Sequence, residues 1–193
     1  SLILWLWNIF FNVMKIASWN VNSVRSRISN ILEWLDKENP DIVCLQETKV
    51  VNESFPNQPF EDLGYNLVVN GQKSYNGVAT FSKFIIEERT LKIPNFEDDQ
   101  ARYIETVHSM GSEILRVINI YLPNGNPCPG EKYDYKLRWM NALKDHLLSL
   151  NIKDEAVILL GDFNFSSQKR LTHSGRICRE RHETLLNFLR VAL

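Results

Sequence analysis

Asp41-Ile-Val-Cys-Leu-Gln-Glu-Thr-Lys49 is apolar from Ile42 to Leu45 and then polar without a break. A short apolar run between turn signals reads as a strand buried on both faces, the kind that alternates with helices in α/β proteins. Its predicted extent is Asp41 to Gln46. Glu47 then stands at the carboxyl end, held by a rigid sheet yet open to solvent. Cys44, inside the run, reads as a small buried hydrophobe. With Cys128 and Cys178 it makes an odd number of cysteines without metal-ligand spacing. That points to a reducing compartment, by default the cytoplasm.

Outward from this strand the pattern repeats. On the amino side, Ile28, Ile31, Leu32 and Leu35 fall on one stripe, which predicts a helix from about Arg25 to Glu38, capped by Ser23 and stopped by Asn39-Pro40. A shorter β-capable run, Lys15 to Trp19, precedes it and ends in Asn20-Val-Asn22. On the carboxyl side, residues 50–62 read as a loop. Strands are predicted at Tyr65 to Asn70, Gly77 to Ser82, Ile85 to Leu91, Ala101 to Val107 and Ile114 to Leu122. A helix follows over Glu131 to Leu150 with Leu137, Met140, Leu143, Leu147 and Leu150 on one face, then a buried strand from Ala156 to Leu160. Strand–helix alternation with a meander between predicts an α/β fold with a mixed sheet.

The 193 residues, 44% hydrophobic and 23% charged, suit one soluble globular domain. A net charge of −1 gives no global sign of nucleic-acid binding, so any such contact must be local. Residues 1–13 are almost wholly apolar but shorter than the roughly 20 residues a membrane span needs. They also lack the basic start and cleavage site of a secretory signal. Because Met14 opens a segment of different character, the leader is read as lying outside the domain, with a short membrane anchor as the sharper alternative. Residues 14–164 read as the domain proper, and 165–193 as a divergent basic tail.

Four apolar runs end in polar residues that packing does not require: Asn20 and Asn22, Glu47, Tyr121 with Asn124, and Asp162 with Asn164. An acid at a strand end is commonly a turn-former, but here carboxylates, neutral amides and a phenol recur together. No Cys–His or Ser–His pairing suggests a side-chain nucleophile. The donors are all oxygen, which suits Mg²⁺ or Mn²⁺ over zinc. Amides and a phenol can hold phosphate oxygens, and a metal beside them can neutralise charge as water attacks. The chemistry so read is metal-assisted phosphoester hydrolysis.

The same residues carry a resemblance. Met14-Lys-Ile-Ala-Ser-Trp-Asn-Val-Asn-Ser-Val-Arg-Ser-Arg27 is similar to the opening of exonuclease III-type apurinic/apyrimidinic endonucleases, of the endonuclease/exonuclease/phosphatase superfamily, and the Asp41–Lys49 stretch resembles their metal-ligand segment. Gly71-Gln-Lys-Ser-Tyr-Asn-Gly-Val-Ala79, Asn119-Ile-Tyr-Leu-Pro-Asn-Gly-Asn-Pro127 continuing through Glu131-Lys-Tyr-Asp-Tyr-Lys136, and Gly161-Asp-Phe-Asn164 resemble further family blocks, in family order. The resemblance implies a four-layer α/β sandwich of mixed β-sheets. It implies Glu47 as principal Mg²⁺ ligand, with Asn20, Asp162 and Asn164 also at the metal. Tyr121 would position the scissile phosphate, Asp162 would orient or deprotonate water, and Asn164 would stabilise the oxyanion. Asn22, Asn124, Arg25 and Lys49 would bind substrate, with Lys73 and Lys132 as further backbone contacts. The implied activity is a DNA-repair phosphodiesterase cutting 5′ to abasic sites and clearing blocked 3′ ends of double-stranded DNA, as a monomer without a membrane partner.

The pattern then breaks. The family's later aromatic-rich segment and terminal Asp-His pair have no counterpart, and no Asp follows Asp162. The expectation is an incomplete sandwich lacking much of its second half, with strand 156–160 as an exposed apolar edge and little or no activity for this chain alone. Two other readings compete: a non-catalytic remnant or nucleic-acid-binding fragment, and a nonspecific DNase or a lipid or inositol phosphoesterase of the same superfamily.

Overall fold

The computed structural model describes residues 14–150 and 155–164. The apolar leader, Cys178 and the basic tail read from the sequence lie outside these residues. The described residues divide into two compact units, one built from 14–92, 98–121 and 155–162, the other from 93–97, 122–150 and 163–164.

The first unit holds two four-stranded mixed sheets, where the strand pattern alone predicts a single mixed sheet and the resemblance a sandwich of sheets. Strands β1 (Ile16–Asn20), β2 (Ile42–Gln46), β3 (Asn66–Asn70) and β4 (Val78–Ser82) form one in the order β1-β2-β4-β3. Strands β5 (Ile86–Thr90), β6 (Tyr103–Met110), β7 (Glu113–Tyr121) and β8 (Ala156–Asp162) form the other in chain order. β1 and β2 run parallel with Asn20 opposite Gln46, and β7 and β8 run parallel with Tyr121 opposite Asp162; the remaining pairs are antiparallel. Two parallel pairs thus end in the polar residues that the sequence singles out. β8 is paired with β7 on one side only among the described residues, and much of it is half-buried.

The period-2 alternation of each strand sorts its side chains. Ala79, Phe81, Val43 and Leu45 pack with α1 (Ile28–Glu38) through the predicted stripe of Ile28, Ile31, Leu32 and Leu35. Ile42, Cys44, Leu115, Val117 and Leu160 meet in a second core. Burial pushes the Cys44 thiol up to about 12, against a smaller downward pull from a Thr80 hydrogen bond, so it packs and does not react.

Two local expectations fail. Ser23, with φ 92, does not cap α1: its hydroxyl accepts from the Ser26 N–H at 3.3 Å, turns occupy residues 24–27, and α1 begins at Ile28 without a side-chain cap. The predicted loop over 50–62 contains a 3₁₀ turn (Asn52–Ser54) and a four-residue helix α2 (Gln58–Glu61) that buries Phe60. The stop at Asn39 holds, with the residue in the left-handed region and its N–H on the Leu35 carbonyl at 2.8 Å.

The second unit contains α3 (Glu131–Ser149). Its buried residues are Tyr133, Trp139, Met140 and Leu143, so of the predicted face only Met140 and Leu143 are buried and two aromatic rings share the burial with them.

Candidate active site

Parallel pairing puts the carboxyl ends of β1 and β2 side by side, and likewise those of β7 and β8. The side chains that project there meet. The Asn20 amide nitrogen donates to Glu47 Oε1 at 2.8 Å and to Asp162 Oδ2 at 2.7 Å, using both its protons, while its Oδ1 accepts the Asn22 N–H at 3.0 Å. These partners fix the amide's orientation, because a flip would face oxygen to two carboxylates. The Tyr121 hydroxyl donates to Glu47 Oε1 at 2.9 Å. Asn20, Glu47, Tyr121 and Asp162 thus form one hydrogen-bonded group.

Glu47 has φ 54, an uncommon backbone conformation for a residue with a side chain, of the sort that gathers at functional sites. Burial works to raise its carboxyl, but hydrogen bonds from Asn20, Lys49 and Tyr121, together with the Lys49 charge, outweigh it and hold the group below the usual carboxylate range. The side chain keeps 20% of its surface exposed, so the carboxylate is ionised and reachable. Lys49 Nζ lies 2.9 Å from Glu47 Oε2 and also donates to Asn22 Oδ1. The residue read as a DNA contact is therefore a cation held on the candidate metal ligand. Arg25 is exposed and donates to the Ser54 carbonyl at 2.9 Å.

Asn124 and Asn164 belong to the second unit. There the Asn164 amide donates to the Leu122 carbonyl at 2.7 Å with φ 48, and exposed Asn124 accepts from the Asn126 amide at 2.5 Å.

Behind the site lies a buried polar group that the sequence reading passed over. Asn119 is fully buried, and its amide reaches the Leu45 carbonyl at 3.2 Å and the Ala79 carbonyl at 2.9 Å while its oxygen accepts from Gln46 at 2.8 Å. It ties β7 to β2 and β4 two residues before Tyr121. A polar residue within the apolar run Val117-Ile-Asn-Ile120 is the signal that could have found it. Arg102 was also missed: its guanidinium carbon lies 4.8 Å from the centroid of the Tyr121 ring.

A divalent cation fits this donor set. Among the described residues no three of His, Cys, Asp and Glu gather as ligands. Two carboxylates, Glu47 just past β2 and Asp162 at the end of β8, joined through one amide, nevertheless suit an ion that keeps several waters. The Lys49 ammonium already occupies a cation's position on Glu47. Asn20, with its nitrogen turned to the carboxylates, can serve such an ion by holding the ligands in place.

Two mixed sheets whose parallel ends carry a Glu–Asn–Asp–Tyr group define a phosphoesterase-type α/β sandwich, and the chain belongs to the endonuclease/exonuclease/phosphatase family, whose profile matches residues 17–191. Its relatives are DNA-repair nucleases. The chain is 34% identical to exodeoxyribonuclease III of Haemophilus influenzae over 156 residues, covering 79% of this chain and 58% of that protein. It is 37% identical to an exodeoxyribonuclease of Bacillus subtilis, covering 81% and 60%. Among solved structures, an AP endonuclease from Archaeoglobus fulgidus superposes with a TM-score of 0.80 at 32% identity, over 92% of this chain and 70% of that one. A 3′ phosphatase from Neisseria bound to product DNA hairpin gives 0.80 at 31%, over 92% and 71%. The chain thus spans about three fifths of the length of the two bacterial relatives. No helix among the described residues is long and apolar enough to cross a membrane.

Proposed function

We propose that this chain carries the metal-binding and water-activating part of a Mg²⁺- or Mn²⁺-dependent DNA-repair phosphodiesterase that cuts 5′ to abasic sites and removes 3′ blocks from double-stranded DNA. It would act in the cytoplasm as a monomer. The observation that carries the proposal is the single hydrogen-bonded group of Asn20, Glu47, Tyr121 and Asp162. Glu47 and Asp162 would hold the ion, which supplies charge neutralisation and Lewis acidity at a phosphate oxygen.

The remaining roles belong to the chain's own groups. Asp162 accepts the proton of the attacking water. The new oxygen–phosphorus bond forms as the phosphorus–O3′ bond breaks, and O3′ takes a proton from solvent. Tyr121, donating from a fixed position, exchanges Glu47 for a phosphate oxygen and orients it. Asn164 is assigned to the developing oxyanion, and Asn22, Asn124, Arg25 and Lys49 to DNA. Charged surface side chains contribute little singly, so the pull on DNA must come from several together.

The test is a duplex with one abasic site incubated with the chain and Mg²⁺. Nicking 5′ to the lesion, weaker than that of a full-length relative and abolished by chelator and by Glu47→Ala, is expected. Nicking that Glu47→Ala retains, or hydrolysis confined to lipid or inositol phosphates, refutes the proposal.

A further inference from the structure

Tyr121 is held from a side that the catalytic group does not touch. The Arg102 carbonyl accepts the Tyr121 N–H at 2.8 Å, and the Arg102 side chain donates through Nη1 to the Tyr121 carbonyl at 3.1 Å, so both backbone groups of Tyr121 are held by Arg102, one through its backbone and one through its guanidinium. The guanidinium carbon then sits 4.8 Å from the ring centroid, within cation–π range. Arg102 is itself oriented, because its Nε donates to Gln100 Oε1 at 2.8 Å. Gln100 Oε1 also accepts from the Asn76 amide at 3.3 Å, and the Asn76 carbonyl accepts the Lys49 N–H at 3.0 Å. A path of direct contacts therefore runs from the turn after Glu47 through Asn76, Gln100 and Arg102 to the ring whose hydroxyl returns to Glu47.

The Tyr121 ring has two side-chain torsions to fix; its hydroxyl bond holds the tip, and packing against the cluster of Val68, Val78 and Ile104 supports it from the core. A guanidinium that donates to Gln100 and to the Tyr121 carbonyl while its carbon sits 4.8 Å from the ring centroid restricts that remaining motion. Only arginine has the geometry; a lysine ammonium can supply the charge but lacks the fixed fork of N–H donors that reaches Gln100 and a backbone carbonyl together from beside the ring.

We infer that Arg102, oriented by Gln100, is a positioning residue that fixes the Tyr121 ring so that its hydroxyl meets the reacting group. The inference rests on the phosphodiesterase reading for its catalytic consequence, though not for the ring geometry itself.

The experiment has two arms, using the full chain and the Arg102→Lys variant. In the first, ring 13C relaxation of labelled tyrosine is measured without substrate, the Tyr121 signal being assigned by its loss in Tyr121→Phe. The Tyr121 ring should become mobile in Arg102→Lys while the Tyr65 ring, buried in the core beside Phe81 with its hydroxyl on the Pro40 carbonyl at 2.6 Å, stays rigid. An unchanged Tyr121 ring, or equal loosening of both rings, overturns the inference whether or not the chain cuts DNA. In the second arm, kcat on the abasic duplex should fall about tenfold in Arg102→Lys with KM little changed, and should fall no further when Arg102→Lys is added to Tyr121→Phe. Equal losses in both backgrounds mean that Arg102 acts elsewhere and also overturn it. A rigid Tyr121 ring that loosens in a chain inactive on every duplex would leave this inference standing while the functional reading fell.

Discussion

Asn20 and Asp162 are 142 positions apart in the chain, and the amide of one donates to the carboxylate of the other at 2.7 Å. The second proton of the same nitrogen goes to Glu47 at 2.8 Å. One neutral side chain thus sets the separation of two anions that would otherwise repel. Replacing Asn20 by Ala should leave the fold intact, because the residue is half-buried at a strand end, and should reduce cleavage by about 100-fold, the cost of a misplaced reacting geometry. Asn20→Asp puts a third negative charge in the group and should lose as much activity while also lowering Tm at neutral pH. Single-turnover cleavage alongside thermal melts checks both. An Asn20→Ala variant that cuts like the parent would mean the amide has no part in aligning the carboxylates.

A divalent ion held by Glu47, as proposed, would compete with Lys49 for the carboxylate. The ammonium lies 2.9 Å from Oε2, with both side chains less than one third exposed. An ion pair of this kind is worth about 1 kcal/mol once screening is counted, which converts to a roughly fivefold change in affinity. Lys49→Met should therefore bind Mn²⁺ about fivefold more tightly, by calorimetry on the chain without DNA. It should bind abasic duplex more weakly, because a cation near the phosphate is gone. Weaker Mn²⁺ binding in Lys49→Met would show that Lys49 helps to assemble the ligand.

How far these relationships were legible depends on how local their causes are. Each strand and both long helices could be read, because burial writes period-2 and period-3.6 patterns directly into the sequence. The positions of Asn20, Glu47, Tyr121 and Asp162 at strand ends were legible for the same reason. Ser23 misled because a serine before an apolar stripe has the chemistry of a cap, and only the φ of 92 reveals that the chain turns first. A four-residue helix such as α2 is too short to carry a period. The pairing of Lys49 with Glu47, the clasp of Arg102 on Tyr121 and the hub at Asn119 depend on which strand lies beside which, and register between distant segments leaves no mark on either one alone.

His108 makes the core sensitive to acid. It is fully buried, with Nε2 2.9 Å from the Thr106 hydroxyl and Nδ1 3.4 Å from that of Ser82. Burial lowers its affinity for a proton below the ordinary value of 6.5, only partly opposed by a hydrogen bond with the Ile85 backbone. The unfolded chain therefore takes up a proton at higher pH than the folded one. Stability from this group is complete above pH 6.5 and is lost as pH falls from there through the folded value. Tm should decline between pH 7 and 5 more steeply in the parent than in His108→Gln, which cannot titrate. Parallel profiles across that window would assign the acid sensitivity to other groups.

Gly161 couples the stability of the sheet to the placement of Asp162. It lies opposite Ile120 in the parallel register, has φ 143, and a Cβ there would stand 2.0 Å from the Ile120 carbonyl oxygen. The obstacle is backbone, so relief must come from moving β8 away from β7, and the adjacent Asp162 moves with it. Gly161→Ala should lower unfolding free energy by about 2–4 kcal/mol, high in the range for single substitutions because strain and lost pairing add. Urea unfolding measures that part. Cleavage measured well below the variant's unfolding midpoint, where the protein is still folded, should fall further than the folded fraction accounts for. A core truncation of equal cost far from β8, such as Phe60→Leu, should weaken the fold without that extra loss. Equal residual activity in the two variants would separate the glycine from the chemistry and leave it a packing requirement alone.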